Sequence, residues 1–335
     1  MIDDELARAM RRIDPAATPL DAPIPLDAER RLREIVGRDP APRRRPARRR
    51  PLVALTSAAA AVVVILTIVT GVLWMPAPSA SALTPTPLVY TAEPVDPGQA
   101  IEDARAALAR DDDEVAAERR SLSLGWYFSA SADGAEATVF RREWVDLRWN
   151  RDFSGSVVTI AAEATDADGD TVPAGDPPPG TVVGEVRYVQ NQFRPLSPEP
   201  PAPTVDAMRA LLRSSSGVEG ELTAGDAITG ARTVLGEWTL DDAQQSALLE
   251  VVAATPGVRS LGTTRDRIGR EVVGIAGVPS SIANTDVTLL VSVETGRIVG
   301  FESALIGANT DLDLPPGSVT EYALWDVRDR EDAPR

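Results

Sequence analysis

The sequence predicts an α+β protein in which a single transmembrane helix precedes an extracytoplasmic antiparallel β-sheet, half-barrel-like, with helices packed on one face. Three observations carry this. Leu52 to Trp74 is a run of 23 residues without a charge. Beyond it the patterning runs from strands to helices and back to strands, an order that packs as an antiparallel sheet with segregated helices. The chain has no cysteine, so some 230 outer residues must be held by their own core, which that length permits.

Composition narrows the function. All 34 basic residues are arginine, and lysine, histidine and cysteine are absent. That removes Cys and Lys nucleophiles, the His base, the P-loop lysine and every Cys/His zinc site. An enzyme is therefore not expected, nor is any cofactor or metal.

Residues 1–51 read as a cytoplasmic Arg-rich tail with two short amphipathic helices. In the first, Asp3, Asp4 and Glu5 precede Arg11 and Arg12, matching the helix dipole, while Leu6 and Met10 share a face. In the second, Asp27 is the N-cap, Leu32, Ile35 and Val36 form the stripe, and Gly37 ends it. Neither helix can bury its stripe alone, so Leu6, Met10, Leu32 and Ile35 are the candidate partner-binding residues.

Residues 52–74 are the predicted span: as a helix, 23 residues reach about 35 Å, against a hydrocarbon core of roughly 30 Å. Nine arginines lie in residues 31–50 and none in 76–95, which places the N-terminus in the cytoplasm and the C-terminal bulk outside the cell membrane. The Arg43–Arg50 cluster reads as this topology signal rather than a nucleic-acid site. Trp74 and Tyr90 are expected at or beyond the outer interface. Cleavage near Ala80-Ser81-Ala82, a small-x-small site, is the competing reading.

Residues 75–97 form a Pro-rich linker, extended and semi-rigid. The outer domain, residues 98–328, opens with a helix at Ala100–Ala109, and the acidic run 111–114 after it reads as solvated charge. Strand signals follow at Leu122–Ala130, Ala137–Val145, Asp146–Arg151, Val157–Ala164 and Val182–Gln190. In strand alternation Val145, Leu147 and Trp149 point one way, and Arg142, Trp144, Asp146 and Arg148 the other. Asp166 to Asp170 resembles a calcium loop but lacks its glycine and glutamate positions, and reads as an Asp-Gly turn.

Three helices come next, capped at Thr204, starting near Ala224, and capped at Thr239. Strands at Val258–Thr264, Arg270–Ile275, Val287–Val293, Arg297–Ser303 and Tyr322–Val327 complete the domain, and residues 329–335 are expected to be a disordered tail.

The order of parts, and the segment Leu248 to Val258 with Asp266-Arg267-Ile268-Gly269-Arg270 and Glu294-Thr295-Gly296-Arg297, resembles a family of actinobacterial single-pass membrane proteins. The resemblance implies an anti-sigma-like layout and an outer domain similar to the antiparallel half-barrel of lipoprotein carriers. It carries over no catalytic residues, and without His or Cys the tail cannot hold the metal of zinc-containing anti-sigma factors.

Three functions follow. The first is a non-enzymatic regulator whose outer domain senses a signal and whose tail binds a cytoplasmic sigma factor. The second is a lipid or lipoprotein-binding module, with Trp126, Phe128, Trp144 and Trp149 as candidate ligand-binding residues and Trp126, Phe128, Val145, Leu147 and Trp149 lining a concave face. The third is a carboxylate-based hydrolase. The expected partners are the lipid bilayer through residues 52–74, a sigma factor, and a lipid or lipoprotein, with no nucleic acid.

Overall fold

The computed structural model describes residues 84–90, 95–110, 115–127, 140–166, 168–172, 177–310 and 314–326. All belong to one compact unit within Ala58–Arg335. The tail residues Leu6, Met10, Leu32 and Ile35, the predicted span, Phe128 and the acidic run 111–114 lie outside them. Among the described residues no helix is long and apolar enough to cross a membrane.

Each helix starts where a side chain can satisfy the orphan amides of its first turn. In α1 (Pro97–Leu108) Asp96 accepts from Gln99 N, and in α2 (Val205–Ser216) Thr204 accepts from Ala207 N. Thr223 and Asp226 form a reciprocal capping box at α3 (Ala224–Leu235). Asp241 and Gln244 do the same at α4 (Asp242–Ala253). The last corrects the sequence reading, which placed that cap at Thr239. Thr239 instead bridges to Glu118, and its hydroxyl donates to Arg120 O.

The strands are β1 (Arg120–Tyr127), β2 (Phe140–Trp149), β3 (Gly155–Thr165), β4 (Val182–Tyr188), β5 (Arg259–Arg265), β6 (Glu271–Gly277), β7 (Thr285–Ser292), β8 (Ile298–Leu305) and β9 (Val319–Leu324). They form a single open antiparallel sheet in the order β4-β3-β2-β1-β9-β8-β7-β6-β5. The two strands predicted at 137–145 and 146–151 are one, β2, because the alternation passes through Val145-Asp146 with no turn former to break it. The final strand begins at Val319, three residues before the expected start.

The helices lie on one face, with α3 across β6 and β7, and α1 against β5 and α4. Between the two layers Ile228, Leu248, Leu249, Val252, Ile275, Leu289 and Val291 are wholly buried. Each such side chain contributes about 1.5–3 kcal/mol when removed from water. A second, smaller cluster occupies the opposite face: Leu124, Trp126, Val272, Leu290, Val299, Val319, Tyr322 and Leu324, with Leu88 and Trp144 packed on it. What covers that second face positions the site.

Candidate functional site

Register assigns the second face strand by strand. Trp144 stands opposite Leu124 and Ile160, Leu124 opposite Leu324, and Trp126 opposite Tyr322. Tyr322 is in turn opposite Glu302. The indole of Trp126 stacks on the Tyr322 ring at 6.3 Å and 25°. The Arg267 guanidinium lies 4.6 Å from the Tyr322 centroid on the same face, and its Nε and Nη2 donate to Glu302 Oε2 at 3.1 and 2.8 Å. Both charged side chains are about one-tenth exposed, which makes this a buried pair rather than a solvated one.

Residues 84–90 lie across this face as a strap. Arg267 Nη2 donates to Thr86 O, Thr264 Oγ1 donates to Val89 O at 2.7 Å, and the Leu88 amide donates to the Glu302 carboxylate. Thr86 Oγ1 donates to Asp168 Oδ1 in the Asp-Gly turn after β3. The Tyr90 ring sits over Gly274 of β6, where an added Cβ would stand 2.5 Å from Cε1. Gly274 is thus a close-approach glycine, a strand position that lets another group meet the backbone. Burial pushes the Tyr90 hydroxyl up, and Glu302 adds to the shift. Burial likewise pushes the Glu302 carboxyl up, with Arg267 opposing. Tyr90, expected at or beyond the outer membrane interface, packs on the sheet, where Gly274 leaves a ring-sized gap in a covered apolar face.

The four predicted ligand-binding residues do not share a surface. Trp126 and Trp144 stand on the strap face, Trp149 on the helix face, and Phe128 falls outside the described residues. This corrects the concave lining of Trp126 with Val145, Leu147 and Trp149: register puts the last three on the opposite side from Trp126. Trp149 is 3 % exposed, edge-on to Trp238 at 4.9 Å, with Phe193 at 5.5 Å and its Nε1 donating to Glu237 O. Arg119 lies 5.3 and 5.1 Å from the Trp149 and Trp238 centroids and holds the Pro-rich segment through Pro198 O and Glu199 Oε2. Burial pushes the nearby Glu237 carboxyl up to about 7, against the Leu196 amide it accepts.

Two of the segments that carry the family resemblance tie turns to the rest of the domain. Asp266 Oδ1 accepts from the amides of Ile268 and Arg270, while Arg270 reaches the carbonyls of Val299, Trp325 and Asp326, tying the β5–β6 turn to β8 and to the chain after β9. Arg297 donates to Leu240 O and pairs with Asp242, fixing the β7–β8 turn to α4. A cleft of about 600 Å³ opens between these two turns, lined by Arg265, Ile268, Glu271, Val293 and Asp326 among others. The described residues hold no cluster of three acidic side chains placed for a metal.

Sequence reasoning missed Arg267, Glu302, Tyr90 and Gly274. A signal existed for one of them: Glu302 is an acid inside the apolar strand Val299–Ala304, and an acid there demands a buried cation.

No protein-family model matches the chain, and no curated protein is similar to it. Among solved structures, a chain of the Pseudomonas aeruginosa MucA/MucB complex is similar at 12 % identity with a TM-score of 0.25, over 69 % of this chain. The match spans 56 % of that chain, just over half its length. A likeness so slight bears on neither the fold nor the function.

Proposed function

We propose that this chain is a non-enzymatic regulator anchored in the cell membrane, with the tail of residues 1–51 in the cytoplasm and the α+β domain outside. The observation that carries the reading is the strap. Residues 84–90 begin ten positions after the last residue of the predicted span and are held on the sheet by Arg267, Glu302, Thr264 and Gly274. Whatever competes for the second face must release the segment that leads into the membrane, so occupancy outside is linked to the span and, through it, to the stripe of Leu6, Met10, Leu32 and Ile35. The apolar lining of that face by Leu124, Trp126, Tyr322 and Leu324 favours a lipid or lipoprotein as the competitor, since acyl chains need such a surface.

The test is capture of the full chain from membranes of its native host, beside a variant carrying Leu6→Ala, Met10→Ala, Leu32→Ala and Ile35→Ala. A sigma factor recovered with the first and lost with the second is the expected result. Recovery of no transcription protein with either, or release of the full chain by lysis without detergent, overturns the reading.

A further inference from the structure

β4 ends the sheet, and no described strand pairs with its outer side. It is also the most solvent-exposed strand, with Val182 56 %, Val183 44 % and Val186 45 % exposed. A bare apolar edge of this kind is a template for another strand.

The backbone phase of β4 follows from its neighbours. The Trp149 amide donates to Arg119 O on the β1 side, so Gly155, opposite Trp149, turns its own amide and carbonyl toward β4. Gly155 pairs with Tyr188 and Val157 with Val186, so Tyr188, Val186 and Gly184 bond inward. Glu185 and Arg187 therefore present their amides and carbonyls outward. The Val189 amide is already taken by Gln192 Oε1.

We propose that β4 pairs with β4 of a second copy of this chain, antiparallel about a two-fold axis at Val186. In that register Glu185 stands opposite Arg187 of the other copy, and Arg187 opposite its Glu185, so both charged outward-bonding positions meet one of opposite charge. Shifting the axis to Glu185 or Arg187 would place like charges face to face, which is destabilising. The same register sets Tyr188 opposite Gly184, where a ring covers a strand glycine, and Val186 opposite itself. The interface is isologous, as closed two-fold dimers require, and it joins two nine-stranded sheets into one. It depends on the outer domain alone, not on the regulatory reading.

The chain has no cysteine, which makes the test clean. Val186 lies at a non-hydrogen-bonded pair on the axis, where Cα atoms approach to about 4.5 Å, within disulfide range. Full-length Val186→Cys, oxidised in whole producing cells, is expected to give a disulfide-linked band at twice 35.6 kDa. Ile306→Cys, 51 % exposed beyond β8, serves as the control and is expected to give none. Adding Glu185→Arg to Val186→Cys sets like charges opposite each other at both pairs and should slow cross-linking roughly tenfold. Adding Arg187→Glu as well restores opposite charges and should restore the rate. Cross-linking no faster than the Ile306→Cys control, or insensitive to the charge reversal, overturns the proposal. So does capture of a different protein's strand by Val186→Cys in place of its own.

Discussion

β6 and β4 both carry the triplet Val-Val-Gly, at Val272–Gly274 and Val182–Gly184, yet β6 is buried at every position after its first residue and β4 at none. The ladder is antiparallel in both cases, and local propensity is nearly the same. The difference lies in what is layered above and below. β6 has α3 on one face and the Tyr90 strap on the other, so its valines meet side chains from both directions. β4 lies at the end of the sheet, where an added Cβ at Gly184 would meet only the Thr159 side chain at ordinary contact distance. A β-strand is a surface, and its energetics are set by the layers that reach it.

The contrast can be broken at its strongest point first. Arg267→Ala leaves Glu302 buried without its cation, and chemical unfolding should register a loss of about 3–5 kcal/mol. A double replacement, Arg267→Met with Glu302→Leu, should recover most of that loss. Leu289→Ala, in the doubly covered half, should cost about 2–5 kcal/mol by the same measurement. Gly274→Ala puts a methyl group into the Tyr90 ring and should cost about 1–3 kcal/mol, with faster proteolysis of the strap as its distinguishing sign.

Glu237 sharpens the comparison through pH. Folded, it keeps its proton to about pH 7, whereas unfolded it loses it near 4.5. The folded state therefore binds more protons across that window, and stability falls as pH rises from about 4.5 to 7. Glu237→Gln should flatten that slope in a series of unfolding curves. The smallest effect belongs to β4: Val186→Ala should change stability by less than about 0.5 kcal/mol.

Among the described residues, sequence pattern located the four helices and most of the strands because their signals are local. Thr204 caps a helix, Gly217 closes it in the left-handed region, and Thr295-Gly296 turns a hairpin, all within a few residues. The facing of β2 was also legible, since Trp144 and Trp149 differ by an odd number of positions. What could not be read was which face each strand shares with strands distant in sequence. Trp126 and Trp149 were grouped by composition, but the pairing of β1 with β9 sends the first to the strap face. The strap itself left little trace, because Leu88, Val89 and Tyr90 form too short an apolar run to reveal a docking site, and their partners lie more than 170 positions away.

The central claim is that residues 84–90 belong to the domain rather than to a free tether. Hydrogen exchange on the full chain tests it most directly, read at the Leu88 amide, which donates to the Glu302 carboxylate. The account predicts exchange at least about tenfold slower than in an unstructured peptide of the same sequence, with Glu302→Leu abolishing the protection. Exchange at the unstructured rate in the unaltered chain would contradict it.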